Sequence, residues 1–300
     1  MPSLHDFQPF LVTGLALGGV YALSGVGMVV LYRTTGVLNL AFGAVGALGA
    51  LIAWDLINNS LWPEWPSYGV AVLLAGAVNL AYGALLGPRL AGRDPLVKAT
   101  ATLGLALILL GIMSWIWSDK ARSMILPTST PAFDLGQVAV SYTQLIALGF
   151  GIAVTFGTAA FLRYTKLGTA MRGLANDREI TATLGVPVRR VEASAWFVSG
   201  LLSGISGLLL SDLVGLDAVS LTFLVISSLA AALIARLRSL VVTFGAALVV
   251  GLVSALATPI NSISEYRNMA PFVLAIIALL VISRKREFSF SGTGLGDGRR

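Results

Sequence analysis

The 300-residue chain contains no cysteine, and its single histidine, His5, lies close to the N-terminus. Disulfides and thiolate metal sites are therefore excluded, and a histidine metal cluster or a Ser-His-Asp triad deep in the chain has no residues to form it. Charged residues make up only 11% of the chain, whereas apolar residues make up 56%. Soluble domains carry about a quarter charged residues. This composition predicts a membrane protein, because such a chain cannot cover a soluble surface with polar side chains.

The sequence also lacks the groups that catalysis needs. None of its four lysines (Lys98, Lys120, Lys166 and Lys285) stands in a phosphate-binding loop, and no paired carboxylates or activated nucleophile can be recognised. No acidic residue lies convincingly in the middle of an apolar run, where a proton- or sodium-coupled carrier would use one. We therefore expect no enzymatic activity, no catalytic residue, no metal site and no cofactor in this chain.

Nine apolar segments follow one another along the sequence, and a membrane core of about 30 Å needs about 20 helical residues. The segments are 8–31, 37–54, 67–87, 100–118, 142–162, 191–211, 219–235, 239–257 and 269–283. The seventh and ninth are short, and the Gly-rich second is compatible with an irregular start. The pattern predicts an all-α polytopic membrane bundle of eight to ten spans. We expect residues 1–287 to form a single domain and residues 288–300 to form a flexible basic tail.

Lysine and arginine are unevenly distributed between these segments. If nine spans alternate, seventeen basic residues fall on one side and three on the other. The three are Lys120, Arg122 and Arg267. Because basic connections stay in the cytoplasm, we expect the N-terminus outside and the C-terminus inside. The net charge of +6 is explained by these connections, so no nucleic-acid partner is expected.

Small and polar residues lie within the apolar segments. Glycines recur at one-turn spacing, as Gly43, Gly46 and Gly49 and again as Gly200, Gly204 and Gly207, which predicts close helix packing. The amide of Asn39, within VLNLAFG, needs a partner inside the bundle. That partner is either a structural hydrogen-bond acceptor or a solute in a translocation path. The candidate path residues are Tyr21, Ser24, Asn39 and Ser203.

The connection 163–190 is too long and too patterned for a plain turn. Asn176 and Glu179 have capping-box spacing, and Ile180, Thr183 and Leu184 share one helical face. Gly185 suits the left-handed residue after a helix. The pattern predicts a cytoplasmic helix over 177–184. So short a helix is marginal in water, so it must pack on the bundle, the lipid interface or a soluble partner.

The same connection resembles the cytoplasmic coupling loop of the permease subunits of branched-chain amino acid ABC importers (the LivH/LivM type). The matching residues are Gly168, Ala170, Arg172, Ala175, Asp177, Leu184, Gly185, Val186, Arg190 and Val191. Gly173 and Thr181 stand where the family customarily has alanine. The loop is the most specific part of a resemblance that extends over nearly the whole chain up to the basic tail.

The first two segments, GLALGGVYALSGVGMVVLYRTTGVLNLAFG, are also similar to the family, with Asn39, Ala41 and Gly43 matching its Asn-Phe-Ala-His-Gly motif. Leu40 and Phe42 replace the phenylalanine and the histidine of that motif. Before the eighth segment, Arg236 and Arg238 replace two family glycines, and Ser239 is retained. These departures leave open whether the solute is a branched-chain amino acid, another amino acid, urea or a short amide.

The resemblance implies a multi-pass permease subunit of an ABC importer in the bacterial inner membrane. Its implied partners are a second permease subunit, identical or homologous, two cytoplasmic ATPase subunits that bind ATP and magnesium, an external solute-binding protein, and membrane lipid. The residues expected to couple to the ATPase are Gly168, Arg172, Asp177, Ile180, Leu184 and Gly185. The alternative is a stand-alone secondary carrier or facilitator, which needs no structured inner loop. A membrane-embedded enzyme would need catalytic groups that the sequence lacks.

Overall fold

The computed structural model describes residues 7–118, 120, 122–135, 138–258, 273–274, 276–277 and 280, and this part of the chain is mainly α-helical. The helices are α1 (Gln8–Thr35), α2 (Phe42–Asn58), α3 (Glu64–Leu90), α4 (Pro95–Trp117), α5 (Tyr142–Tyr164), α6 (Lys166–Asn176), α7 (Arg178–Thr183), α8 (Val188–Val214), α9 (Ala218–Phe223), α10 (Val225–Ile234) and α11 (Leu240–Leu256). By length and composition α1, α3, α4, α5 and α8 can each cross a membrane, and α2, α9–α10 and α11 are shorter apolar helices.

The all-α class predicted from the sequence is confirmed. The first six predicted segments and the eighth each correspond to one helix. The seventh, 219–235, consists of two short helices that meet at Leu224. The ninth, 269–283, lies outside the described residues apart from five positions, and so does the tail 288–300. The count of nine spans and the orientation of the termini stay predictions.

The connection before α5 contains a hairpin that the sequence analysis did not predict. Strands β1 (Pro131–Leu135) and β2 (Val138–Ser141) pair antiparallel. Ser141 ends β2 and also starts α5 through a capping box. Its hydroxyl accepts from the Gln144 amide at 3.3 Å, and the Gln144 side chain accepts from the Ser141 amide at 3.0 Å. This double use of Ser141 holds the hairpin against the start of α5.

Glycines set the distances between the central helices, as their spacing predicted. Helix α1 lies in the middle of the bundle and packs against α5, α8, α10 and α11. A Cβ atom on Gly19 would lie 2.6 Å from the carbonyl oxygen of Ala147 in α5. A Cβ atom on Gly207 would lie 2.1 Å from the carbonyl oxygen of Gly46. Helices α2 and α8 therefore touch backbone to backbone, as small residues allow inside a membrane.

Helix α10 ends in a turn in which Arg236 and the following Leu237 both adopt a left-handed conformation, each with φ +54°. The Arg236 amide donates to the Leu233 carbonyl, and the Leu237 amide donates to the Ala232 carbonyl, both at 2.8 Å. These two bonds form a Schellman ending, whose left-handed residue is usually glycine. The turn therefore keeps a conformation suited to the family's glycine although Arg236 has replaced it. The carbonyl of Arg238 accepts from Arg33 at 3.2 Å.

Substituting Arg236→Gly is expected to raise the free energy of unfolding by about 1 kcal/mol, because it removes the strain of a left-handed side-chain-bearing residue. Thermal unfolding of the detergent-solubilised protein measures the change. Arg238→Gly is the matched control, since Arg238 is exposed and is not among the left-handed residues of the described chain. The control should lower stability slightly, because glycine only adds freedom to the unfolded chain. Equal destabilisation by both substitutions would contradict the interpretation.

Candidate functional site

The connection between α5 and α8 folds into two helices, α6 and α7, rather than the single helix predicted over 177–184. Thr165 caps α6, and its hydroxyl accepts from the Gly168 amide at 2.9 Å. Met171 and Leu174 are buried on its inner face, in a cluster that includes residues of α1. The sequence analysis missed α6 because its apolar residues are few, although their three-residue spacing indicates a helical face.

The predicted capping residue of α7 was wrong by one position. Asp177, rather than Asn176, is the cap, and its carboxylate accepts from the Ile180 amide at 2.9 Å. Asp177 is one of the residues expected to couple to an ATPase subunit. Its hydrogen bond to the Ile180 amide fixes where α7 begins. At the other end Gly185 is left-handed, with φ +81°, as predicted. Helix α7 is therefore a short helix with a cap at each end.

The six predicted coupling residues divide into exposed and buried ones. The side chains of Ile180 and Leu184 are 60% and 78% exposed, so α7 presents an apolar surface. Arg172 is exposed as well. Gly168 is different, because it is buried and a Cβ atom there would lie 2.3 Å from the Phe161 carbonyl oxygen. Gly168 lets α6 pack closely on α5 and presents no surface to a partner.

The two departures from the family's loop pattern, Gly173 and Thr181, lie next to each other. A Cβ atom on Gly173 would lie 3.0 Å from the Thr181 hydroxyl. That hydroxyl donates to the Asp177 carbonyl at 2.6 Å, and Thr181 is 6% exposed. Thr181 on α7 is larger than the family's alanine, and it fits because Gly173 on α6 has no side chain. The sequence places the two residues eight positions apart and gives no sign of this contact.

An ion pair connects α7 to the start of α8. Arg178 and Glu192 approach to 3.1 Å, with 40% and 13% of their side chains exposed. Lys98, in the first turns of α4 and 8% exposed, also interacts electrostatically with Glu192. The pair therefore gives α7 a direct connection to a helix that continues through the bundle. Both residues stand in the sequence without a motif that would have revealed the pairing.

Residues 36–41 form an irregular segment between α1 and α2, as the Gly-rich second segment allowed. Helix α1 ends at the left-handed Gly36. The Leu40 amide donates to the hydroxyl of Thr102 at 3.1 Å, and that hydroxyl lies within hydrogen-bonding distance of the Leu38 and Ala99 carbonyls. The carbonyl of Phe42 accepts from Ser203 at 2.5 Å. Since Ser203 lies near the middle of α8, helix α2 begins deep within the bundle.

The start of α2 meets the junction of α9 and α10, so two interruptions of helix lie side by side. A Cβ atom on Gly43 would lie 2.3 Å from the Thr222 carbonyl oxygen. A cavity at this meeting point is lined by Ser24, Phe42, Gly43, Gly46, Ala47, Ser206, Gly207, Leu210, Leu221, Leu224, Val225 and Ser228. Its volume is about 10 Å³. This is room for about one water molecule, so the cavity is too small for a larger solute.

Only one of the four predicted path residues lines this cavity, and it is Ser24. Ser203 holds the first carbonyl of α2 beside it. Tyr21 is buried, and its hydroxyl lies near the Ser227 side chain. The Asn39 amide donates to the Asn79 side-chain oxygen at 3.4 Å, and its own oxygen accepts from the Ala41 amide at 3.1 Å. Asn39 therefore makes hydrogen bonds within the bundle. This is the structural role that the sequence offered as the alternative to a contact with the solute.

Comparison with known proteins places these features in a family. The family described as "Branched-chain amino acid transport system / permease component" matches residues 10–281. The chain is 25% identical over 295 residues to the high-affinity branched-chain amino acid transport system permease protein BraD of Pseudomonas aeruginosa, covering 93% of this chain and 95% of that one. It is 25% identical over 297 residues to the corresponding permease protein LivH of Escherichia coli K12, covering 92% and 94%.

A solved structure, PsaBC from Streptococcus pneumoniae in complex with Fab, is similar over 92% of this chain and 91% of that chain, with 16% identity and a TM-score of 0.48.

The match to the family covers most of the chain, including both the segment 36–42 and the connection 163–190. The resemblance inferred from the sequence is thereby confirmed, and the apolar helices make the chain a multi-pass membrane protein. The chain belongs to the family of permease components of branched-chain amino acid transport systems.

Proposed function

We propose that this chain is a permease subunit of an ABC importer and forms the path by which an amino acid of the branched-chain class enters the cell across the inner membrane. Its proposed partners are a second permease subunit, two cytoplasmic ATPase subunits and an external solute-binding protein. The names of its relatives BraD and LivH support the substrate class. ATP and magnesium are assigned to the ATPase subunits, and no catalytic or cofactor role is assigned to this chain.

One observation carries the proposal: the exposed apolar surface of α7 is joined to the closed cavity by a continuous set of contacts. Arg178 of α7 pairs with Glu192 at the start of α8. Further along α8, Ser203 holds the start of α2, and Ser206 lines the cavity. A displacement of α7 by an ATPase subunit would therefore reach the cavity through one helix. This is rigid-body movement of packed elements, with no covalent chemistry.

The lining of the cavity suits a small aliphatic amino acid once the helices separate. The hydroxyls of Ser24, Ser206 and Ser228 can hydrogen-bond a polar end group. The start of α2 offers unpaired amide groups and a partial positive charge, which favour a carboxylate. Leu224 and Val225 provide an apolar wall for the side chain. Phe42, in place of the family's histidine, makes that wall more apolar still.

The function is tested by reconstitution of the complete transporter in proteoliposomes. Uptake of radiolabelled leucine, isoleucine or valine is expected only when ATP, the ATPase subunits and the solute-binding protein are all present. The same vesicles containing the permease subunits alone are the control, and they should show no uptake. Uptake by the permease alone would favour the stand-alone facilitator and contradict the proposal. A panel including urea and short amides identifies the solute class.

The proposed orientation gives a second test, because the chain has no cysteine to interfere with labelling. Ser60 and Thr169 are both exposed in the structure, at opposite ends of the bundle. In intact cells an impermeant thiol reagent should label Ser60→Cys and should leave Thr169→Cys unlabelled until the membrane is opened. The physical reason is the excess of basic residues on the Thr169 side. The reverse labelling pattern would show that the orientation is wrong.

A further inference from the structure

Three polar side-chain atoms between α3 and α8 have no hydrogen-bond partner within the part of the chain that the structure describes. They are the amide nitrogen of Asn79, the hydroxyl of Tyr82 and the hydroxyl of Ser199. The residues are 0%, 6% and 1% exposed. A polar group buried inside a membrane protein is costly unless it is hydrogen-bonded, and native proteins satisfy nearly all such groups. Three such atoms in one place indicate a bound ligand.

The helix faces that carry the three atoms pack against each other. Asn79 and Tyr82 are three residues apart on α3, so they share a face. On α8, Trp196 and Ser199 are also three residues apart and therefore share a face. The Tyr82 and Trp196 rings are 5.3 Å apart, and a Cβ atom on Gly200, next to Ser199, would lie 2.8 Å from the Cβ of Asn79.

Neither amide rotation nor the helix backbone removes these unpaired atoms. Rotating the Asn79 amide would exchange its oxygen and nitrogen, which breaks the bond from Asn39 and still leaves one atom unpaired. Other serines of α8 bond back to their own helix, as Ser206 does to the Ser203 carbonyl and Ser211 to the Leu208 carbonyl. Ser199 makes no such bond in this structure.

We propose that Asn79, Tyr82 and Ser199 form an internal site that binds ordered water. Water suits these three groups because it can accept a hydrogen bond from the Asn79 amide. It can also donate to, or accept from, each of the two hydroxyls. Through the Asn39–Asn79 contact the site adjoins the irregular segment 36–41. The bound water therefore supplies exchangeable hydrogen-bond partners next to a backbone segment that lacks the regular bonds of a helix.

Radiolytic footprinting of the whole purified protein in nanodiscs tests the proposal, because X-rays generate hydroxyl radicals from bound water itself. Tyr82 and Trp196 should be oxidised although both are buried, and oxygen-18 water should supply the added oxygen. Met28 and Met113, which are 1% and 0% exposed in the apolar core, should stay unlabelled despite their high reactivity. Trp62, in an exposed connection, is the positive control.

The double variant Tyr82→Phe/Ser199→Ala removes two hydroxyls without adding volume and keeps the Asn39–Asn79 contact, so loss of Trp196 labelling is expected. Ser211→Ala, on the same helix, is the matched control and should leave that labelling unchanged. Unlabelled Tyr82 and Trp196 in the natural protein would overturn the proposal. So would equal labelling of the two methionines, or unchanged labelling in the double variant. A density map that resolves ordered water provides a second measurement, and a site without a peak there would likewise overturn it.

Discussion

Replacing Leu184 with aspartate is expected to abolish substrate-stimulated ATP hydrolysis by the assembled transporter. Leu184 ends α7 and is 78% exposed, so the change does not disturb the bundle. If the ATPase subunit covers this leucine, the variant loses about 1.5–3 kcal/mol of apolar burial and also forces an unpaired carboxylate into the contact. A loss of 3 kcal/mol weakens the association by more than a hundredfold. Co-purification of the ATPase subunit and its turnover measure the effect.

Leu61→Asp is the matched control for this substitution. Leu61 is 84% exposed and lies between α2 and α3, at the opposite end of the bundle from α7. It should leave both co-purification and turnover unchanged. The Leu184 variant should still insert and unfold at the same temperature as the natural protein. Normal ATPase recovery together with normal stimulated turnover would mean that α7 does not transmit the movement.

The second large effect is expected from Gly207→Ala, which should lower the free energy of unfolding by about 3 kcal/mol. The new methyl group would lie 2.1 Å from the Gly46 carbonyl oxygen and 2.4 Å from its carbonyl carbon, so the backbone of α2 has to move. Such a movement also disturbs the nearby bond between Ser203 and the Phe42 carbonyl. Thermal unfolding in detergent measures the loss, and transport by the assembled complex should fall with it.

Gly111→Ala tests whether the loss comes from close packing rather than from glycine as such. Gly111 lies within α4, and a Cβ atom there would have no heavy atom within 4 Å. This variant should gain about 0.5–1 kcal/mol, because alanine is the better helix former. If both alanine variants unfold at the same temperature, backbone contact between α2 and α8 is not what Gly207 provides.

The features that sequence reasoning predicted correctly depend on local patterns. Long apolar runs predict helices because each satisfies its own backbone hydrogen bonds, and the glycine repeats predict close packing because their period matches one helical turn. The left-handed Gly185 and the irregular start of the second segment follow from the same local rules. Identification of the family needed no structure, because the connection 163–190 carries a specific sequence pattern.

The features that the sequence could not reveal depend on contacts between distant residues. The contact between Asn39 and Asn79 spans forty positions, and the approach of Gly43 to Thr222 brings together two interrupted helices. The cap of α7 was displaced by one residue because Asn176 and Asp177 are both good caps, and only the helix preceding them decides between the two. The predicted path residues were chosen as polar groups within apolar segments, so one of them lines the cavity, Ser203 holds a carbonyl beside it, and Asn39 bonds to Asn79 instead.

The contact between Gly173 and Thr181 constrains the order in which this loop could have changed during evolution. If the ancestral loop had alanine at both positions, as the family pattern suggests, a threonine at 181 would have met the methyl group of residue 173. A change to glycine at 173 relieves this tight contact and so favours threonine at 181. The same constraint applies to chimeric transporters. A loop transplanted from a relative should carry both positions together, since exchange of position 173 alone places alanine against threonine.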